Sequence, residues 1–232
     1  MSAVTGEHGQ FPMDHAAKLG IIRVITSRDQ AFLETHGRLI EQAYAAVRTV
    51  SLCLPDQPDG VHDESTEQTA AAKMPDAARE LAGRGVDAIV VSCCSDPGVR
   101  EAAAAVDVPL VGAGEAAALV SLVYGGPVGV IGLTGQAPRT MCDVLGDRLV
   151  ASIAPRGVRT TLDLLRPEAV SACEEAARWL LAQGAGVICL ACTGTATIGL
   201  PRRLTEVLGV PVVDPVLAAG GLALMMVAQR HK

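Results

Sequence analysis

The sequence predicts an α/β protein made of two pseudo-symmetric lobes, each a four-stranded parallel sheet flanked by helices, with the active site in the cleft between them. Apolar runs alternate with helical stretches along the chain, a pattern typical of βαβ units. Half of the residues are apolar and only 2% are aromatic, as expected when parallel strands are buried on both faces. Segments of the first half also recur in the second.

The alternation of apolar runs and longer stretches predicts the elements in chain order. The apolar runs predict strands at residues 20–26, 48–54, 87–93, 109–112, 127–134, 159–164, 186–192 and 211–214. The stretches between them predict helices at residues 30–47, 66–84, 98–105, 115–124, 138–145, 167–183, 202–208 and 216–229.

The internal repeat supports this order of strands. The third strand, DAIVVSC, resembles the seventh, GVICLAC, and the fourth, VPLVG, resembles the eighth, VPVVD. The first strand, GIIRVIT, matches the fifth, VGVIGLT, so that Thr26 corresponds to Thr134. RTVSLCL in the second strand matches RTTLDLL at residues 159–165, which is therefore predicted to form the sixth strand.

The seam between the two halves is predicted at the glycine pair of residues 125–126. We expect residues 19–125 together with 215–230, a last helix that crosses back, to form the first lobe. Residues 126–214 form the second lobe, and residues 1–18 form an N-terminal tail.

Cys93 and Cys192 end equivalent strands of the two halves. In open parallel sheets ligands bind beyond the carboxyl ends of the strands, so the two thiols are predicted to face each other across one cleft. Cysteine is also a common small core residue, but the repeat-related pair favours a catalytic role. Two thiols on opposite faces of a ligand suggest removal of a proton from one side of a carbon and its return from the other.

The residues after Cys93 are predicted to activate it. Asp96 can cap a helix whose first residue is Pro97, and the N-terminus of that helix would favour the Cys93 thiolate. Cys94 points to the opposite side of an extended strand, so it either contacts substrate or packs beneath the site. Cys189, inside the seventh strand, is expected to lie in the core, and the role of Cys53 is left open.

Further polar groups lie at the predicted strand ends, where hydroxyls and loop N–H groups can hold a carboxylate or an enolate oxygen. The alternative for each is local capping and turn formation. The candidate substrate-binding residues are Ser27, Cys94, Ser95, Thr134, Thr193 and Gly194. His62, in an acidic loop, is either a lid residue or a solvent-exposed histidine. Metal-ligand histidine pairs and phosphate-binding glycine fingerprints are not seen.

The net charge of −6 and the lack of a basic run disfavour a nucleic-acid or anionic-membrane partner. The apolar run at residues 215–227 is too short to span a membrane, which needs about 20 apolar residues. Seven cysteines, an odd number, without a secretory signal favour reduced thiols in the cytoplasm. We expect a small-molecule substrate and assembly into a homo-oligomer.

Three motifs resemble the aspartate/glutamate/hydantoin racemase superfamily, over about residues 19–228. SCCSDPGV at residues 92–99 is similar to the first-cysteine motif of the hydantoin racemase branch, LACTG at 190–194 to its second-cysteine motif, and LGVPVVDPV at 208–216 to its downstream segment. The resemblance implies two α/β lobes and cofactor-independent inversion at a carbon next to a carbonyl. Cys93 and Cys192 would be the two bases, with no pyridoxal phosphate or metal.

The substrate is predicted to be an amino acid or a cyclic derivative such as a 5-substituted hydantoin. The chain lacks the acidic residue after the first strand and the histidine after Thr193 that glutamate racemases usually carry, and it lacks the Asn-Pro-Asn stretch often seen in hydantoin racemases. A maleate isomerase-like or arylmalonate decarboxylase-like enzyme of the same superfamily is one alternative. A non-catalytic two-lobe binding protein is the other.

Overall fold

The computed structural model describes residues 16–230 and confirms the predicted α/β architecture with two four-stranded parallel sheets. The strands are β1 (Ala17–Arg23), β2 (Val47–Cys53), β3 (Ala88–Ser92), β4 (Leu110–Gly112), β5 (Val128–Ile131), β6 (Leu149–Ile153), β7 (Val187–Leu190) and β8 (Val212–Val213). The helices are α1 (Gln30–Ala43), α2 (Glu64–Gly83), α3 (Val99–Ala103), α4 (Ala113–Val123), α5 (Arg139–Leu145), α6 (Ala169–Ala182), α7 (Gly194–Thr197), α8 (Leu200–Leu208) and α9 (Pro215–Arg230).

The two sheets have the same strand order, β2-β1-β3-β4 and β6-β5-β7-β8, so the predicted repeat is real at the level of topology. All pairings are parallel. β3 and β7 are each central strands, and the chain leaves both of them at the carboxyl edge of its sheet. Cys93 and Cys192 follow these two strands directly or after one residue.

The predicted sixth strand is wrong. Residues 159–164 do not form a strand, and Thr161–Leu165 forms a short 3₁₀ helix, while β6 lies earlier, at Leu149–Ile153. Thr160 and Asp163 make a capping box, in which the Asp163 carboxylate accepts hydrogen bonds from the backbone N–H groups of Arg159 and Thr160, both at 2.9 Å. A capping box starts a helical turn, so the apolar spacing of RTTLDLL reflects a turn and not a strand.

Other elements also differ from the predictions, since β1 ends at Arg23 and not at residue 26, α1 at Ala43 and not at residue 47, and β5 at Ile131 and not at residue 134. β1 begins at Ala17, inside the predicted N-terminal tail of residues 1–18, and residues 1–15 lie outside the described part of the chain. The short helix α7 was not predicted. Within residues 16–230, none of the helices is both long and apolar enough to cross a membrane.

Two helices are exchanged between the sheets. α4 follows β4 in the chain but packs against β7 of the other sheet, and α9 follows β8 but packs against β3 and α1. α4 and α9 also pack against each other, and with the facing sides of both sheets they form one central core. Each sheet has a second core on its outer side. The reciprocal exchange holds the two sheets in a fixed relation, with their carboxyl edges around one cleft.

A glycine allows the close approach of α9 to α1. A Cβ at Gly220 would lie only 2.8 Å from Cγ1 of the fully buried Ile40 on α1. One turn away, the Tyr44 hydroxyl donates to the backbone carbonyl of Leu217 at 2.8 Å. The helix that crosses back is therefore held by both tight apolar packing and a hydrogen bond.

Candidate active site

A cavity of about 260 Å³ lies at the carboxyl edges of the two sheets. Residues from both halves of the chain line it, including both candidate catalytic cysteines. The lining residues are Val24, Val61, His62, Asp63, Glu64, Glu67, Cys93, Cys94, Ser95, Gly132, Leu133, Thr134, Gln136, Ala137, Pro138, Thr161, Ala191, Cys192 and Thr193.

Cys93 and Cys192 have equivalent surroundings because the strand alternation places them on equivalent faces. Every second residue of a strand points to the same face. The outer core of the first sheet therefore contains Ile89, Val91 and Cys93. The outer core of the second sheet contains Ile188, Leu190 and Cys192 in the same way. The two cysteines are 8% and 7% exposed. Each thiol is therefore almost fully excluded from solvent, and each reaches the shared cavity from its own lobe.

Burial raises the pKa of Cys93 to about 12, and the nearby Asp96 carboxylate adds to this shift. The hydroxyl of Ser95, whose oxygen lies 3.4 Å from the Cys93 sulfur, acts in the opposite direction. A thiol in this setting keeps its proton at neutral pH. The proton is then available for donation to a substrate carbon.

Cys192 is better prepared to carry a negative charge. Burial raises its pKa, but the N–H groups of Gly194 and Thr195 and the hydroxyl of Thr161 favour the thiolate. The Thr161 oxygen lies 3.8 Å from the Cys192 sulfur. The two N–H groups belong to the first turn of α7, and the Thr195 N–H also donates to the backbone carbonyl of Cys192 at 3.1 Å. The site is therefore asymmetric, with more thiolate-stabilising donors around Cys192 than around Cys93.

The predicted helix cap next to Cys93 is wrong. α3 begins at Val99 after Gly98, a left-handed residue that makes no side-chain cap. Asp96, with φ of 53°, turns its carboxylate away and accepts hydrogen bonds from the N–H groups of Gly114 at 2.9 Å and Glu115 at 2.7 Å. Asp96 is thus a cap, but of the exchanged helix α4, and its charge opposes a Cys93 thiolate.

The other cysteines are divided between cavity and core. Cys94 lines the cavity, yet its side chain is buried in the central core with its sulfur 3.8 Å from the carbonyl oxygen of Leu190. Cys189 is fully buried in the same core. Cys53 lies outside the cavity, with its sulfur 3.6 Å from the backbone oxygen of Ser27.

The cavity brings together some of the predicted substrate-binding residues and not others. Ser95, Thr134 and Thr193 line it. Ser27 does not line the cavity. Its hydroxyl instead accepts a hydrogen bond from the N–H of Asp29 at 3.1 Å, which is the local turn expected as the alternative to substrate binding. Gly194 is also not a lining residue, but a Cβ there would meet Thr161 Cγ2 at 2.5 Å and the Cys192 sulfur at 3.5 Å. Glycine at position 194 therefore makes room for Thr161 beside Cys192.

Several lining residues were missed by the sequence analysis. Thr161 was hidden by its assignment to a strand, although the capping box of Thr160 and Asp163 is a visible helical signal. The acidic residues Asp63, Glu64 and Glu67 begin α2 and lie beside His62 at the mouth of the cavity. Their clustering was visible only as an acidic loop.

The charge of the cavity wall is one-sided. The described lining residues include the carboxylates of Asp63, Glu64 and Glu67, but neither lysine nor arginine. Within residues 16–230, groups of three or more His, Cys, Asp or Glu side chains arranged to hold a metal ion are also not found. The described wall offers thiols, hydroxyls, carboxylates and the His62 imidazole to a ligand, and no lysine or arginine for a free carboxylate.

Comparison with known proteins identifies the family. The family model described as Asp/Glu/Hydantoin racemase matches residues 32–223. A hydantoin racemase from Paenarthrobacter aurescens is 26% identical over 223 residues, covering 90% of this chain and 91% of that protein. A hydantoin racemase from Rhizobium meliloti is 31% identical over 180 residues, covering 72% of this chain and 71% of that protein.

The fold is also similar to that of a solved racemase structure. An allantoin racemase from Klebsiella pneumoniae superposes with a TM-score of 0.79 at 25% sequence identity, covering 92% of this chain and 89% of that chain. The similarity extends over both lobes, and the resemblance inferred from the cysteine motifs is confirmed. This chain belongs to the Asp/Glu/hydantoin racemase family.

Proposed function

We propose that this chain is a cofactor-independent racemase that inverts a carbon next to a carbonyl in a neutral cyclic amide such as a 5-substituted hydantoin. The observation that carries the proposal is the pair of buried thiols, Cys93 and Cys192, which reach one cavity from equivalent ends of the two sheets. Such a pair provides one base on each face of a flat intermediate.

The proposed reaction moves two protons and needs no electron acceptor. The Cys192 thiolate takes the proton from the ring carbon, the C–H electron pair passes into the adjacent carbonyl, and the Cys93 thiol returns a proton to the opposite face. The thiol and thiolate are then exchanged, and the reverse reaction starts from that state. The donors around Cys192 and the raised pKa of Cys93 support this resting assignment.

The hydroxyls of the cavity favour a substrate that has N–H groups. Thr134 donates its hydroxyl hydrogen to the carbonyl of Gln136 at 2.8 Å, and Thr193 donates to the carbonyl of Ser92 at 3.1 Å. Because these hydrogens are already used, the two oxygens are left with lone pairs that accept hydrogen bonds. A hydantoin ring presents N–H donors of this kind.

The charge of the wall favours a neutral ring over a free amino acid. Asp63, Glu64 and Glu67 repel an α-carboxylate, and the described lining residues include no lysine or arginine to offset this repulsion. Relatives that are hydantoin and allantoin racemases act on neutral cyclic amides, which agrees with the charge argument. Thr193 followed by Gly194 also leaves the site without the histidine that glutamate racemases usually carry there.

The proposal is tested by following optical activity with separate enantiomers of 5-substituted hydantoins, allantoin and free amino acids, each with a blank that lacks the enzyme. We expect turnover of the cyclic amides only. C93A and C192A should each lose about 10²–10⁴-fold in rate, the range for a positioned acid or base. C142S is the matched control, because Cys142 is a half-buried thiol outside the cavity.

Two results would contradict the proposal. If C93A or C192A racemises the substrate at the rate of C142S, the thiol pair is not catalytic. If free amino acids alone are racemised, the substrate class is wrong while the thiol mechanism stands.

A further inference from the structure

A buried histidine connects the chain segments next to Cys93 and Cys192. His36 on α1 is only 1% exposed, and both of its ring nitrogens have partners. Nδ1 lies 2.7 Å from the hydroxyl oxygen of Ser92, and Nε2 lies 3.0 Å from that of Thr197. The first partner belongs to one lobe and the second to the other, so a single imidazole spans the interface between them.

Both partners are close in sequence to a catalytic thiol. Ser92 ends β3 and directly precedes Cys93. Thr197 ends α7, the helix whose first turn directs N–H groups at Cys192. A second link crosses at the same place, because the Thr193 hydroxyl donates to the backbone carbonyl of Ser92 at 3.1 Å. The segment before Cys93 and the segment after Cys192 are therefore joined beneath the cavity.

The imidazole is held in one form. Burial and the nearby Arg23 guanidinium lower the pKa of His36 well below its usual value, so the ring is neutral. Arg23 is itself fixed by hydrogen bonds from its Nη1 to the carbonyls of Phe32 and Leu33 at 2.9 and 3.0 Å. A neutral imidazole has one donor and one acceptor nitrogen. Both are used, which fixes the ring and the two hydroxyls around it.

We propose that His36 is a positioning residue that sets the separation of the Cys93 and Cys192 thiols by holding Ser92 and Thr197 in one hydrogen-bonded network across the lobe interface. The proposal rests on the proposed two-thiol racemisation. His36 is buried and is not among the residues that line the cavity. It acts through the backbone segments that carry the two bases.

The geometry of a two-base reaction makes such a link effective. Both sulfurs must lie near the same carbon, on opposite faces, although each is fixed to a different sheet. A misplacement of about 1 Å can cost about 10²-fold in rate. The exchanged helices α4 and α9 fix the sheets, while His36 joins the end of β3 to the end of α7, the segments next to the two thiols.

The first experiment compares H36L with I40A. H36L introduces an apolar side chain of similar bulk and removes both hydrogen bonds. I40A creates a cavity on the same helix, away from the thiols, and controls for lost stability. We expect H36L to lower kcat about 10²-fold with little change in KM, and I40A to lower the thermal midpoint without a comparable loss of kcat. Equal kcat values in wild type and H36L would overturn the proposal.

Variants that remove one hydrogen bond of the network at a time distinguish a positioning role of His36 from a role in general stability. S92A removes the bond on the Cys93 side, and T197V removes the bond on the Cys192 side. The primary isotope effect is measured on each enantiomer labelled with deuterium at the reacting carbon. S92A should raise it for the enantiomer whose proton Cys93 removes and lower it for the other, and T197V should do the reverse. A structural role alone would leave both isotope effects at their wild-type values.

A third readout does not need turnover. Dibromobimane joins two nearby thiols, and peptide mapping identifies which ones are joined. We expect a Cys93–Cys192 bridge in wild type and I40A, and at least a several-fold lower yield in H36L. If wild type racemises no cyclic amide, the proposed substrate is wrong. The yield of the Cys93–Cys192 bridge then still tests whether His36 positions the two thiols. An equal bridge yield in H36L would overturn the positioning role.

Discussion

Thr161 offers a direct test of how the Cys192 thiolate is stabilised. T161V is nearly isosteric and removes the only side-chain hydroxyl hydrogen-bonded to the Cys192 sulfur among the described residues, at 3.8 Å. Hydrogen bonds to a charged group contribute about 1.5–3 kcal/mol, and the long separation places this one at the lower value. Since about 1.4 kcal/mol corresponds to one pKa unit, the pKa of Cys192 should rise by about one unit. The thiolate fraction below that pKa then falls about tenfold.

The assay is the pH dependence of iodoacetamide alkylation at Cys192, followed by mass spectrometry of the peptide. T134V is the matched control, because Thr134 also lines the cavity but gives its hydroxyl hydrogen to the carbonyl of Gln136. We expect the alkylation curve of T161V to move to higher pH and that of T134V to stay at the wild-type position. An unmoved curve for T161V, or an equal shift in both variants, would refute the assignment of Thr161 as a thiolate donor.

Three further predictions concern the surroundings of the site. G194A brings a Cβ to within 2.5 Å of Thr161 Cγ2 and should lower kcat/KM, whereas G135A, whose Cβ would meet nothing within 4 Å, should not; equal rates would contradict the crowding argument. G98A places alanine at φ 62° with its Cβ 2.6 Å from the Ala71 carbonyl oxygen, and urea unfolding should show a loss of about 2–5 kcal/mol. Burial raises the pKa of Asp96 to about 7, so the folded state keeps a proton that the unfolded state loses near pH ~4. The free energy of unfolding should therefore fall as pH rises from about 4 to 7, and a D96N variant with an unchanged slope would contradict this.

The thiol pair was accessible to sequence reasoning because it depends on local patterns. Cys93 and Cys192 end matching apolar runs, and strand alternation alone places them on equivalent faces. The same repeat indicated two equivalent four-stranded sheets, but the order of the strands within each sheet was not predicted from it. These features need only the identity of neighbouring residues and the rule that ligands bind at the carboxyl edges of parallel strands.

The remaining features depend on contacts between segments that are distant in sequence. Asp96 reads as a cap for the next helix, but its positive φ turns it to α4, eighteen residues further along. His36 meets Thr197 across 161 positions, and nothing in the local sequence of α1 indicates this. The exchange of α4 and α9 between the sheets is likewise a matter of packing. The missed β6 was different, because its short, partly exposed run gave a weak pattern beside the stronger but misleading match of RTTLDLL.

The central claim is that two thiols act on opposite faces of one carbon, and isotope placement tests it most directly. One enantiomer of a 5-substituted hydantoin is incubated with the enzyme in heavy water, stopped early, and separated from its mirror image, alongside an enzyme-free blank. We expect deuterium in nearly all of the newly formed enantiomer, because the donating thiol exchanges its proton with solvent before acting. We expect almost none in the recovered substrate, because the second base returns the proton to the opposite face. Deuterium at similar levels in both enantiomers, or transfer of the original proton to the product, would show a single base and contradict the account.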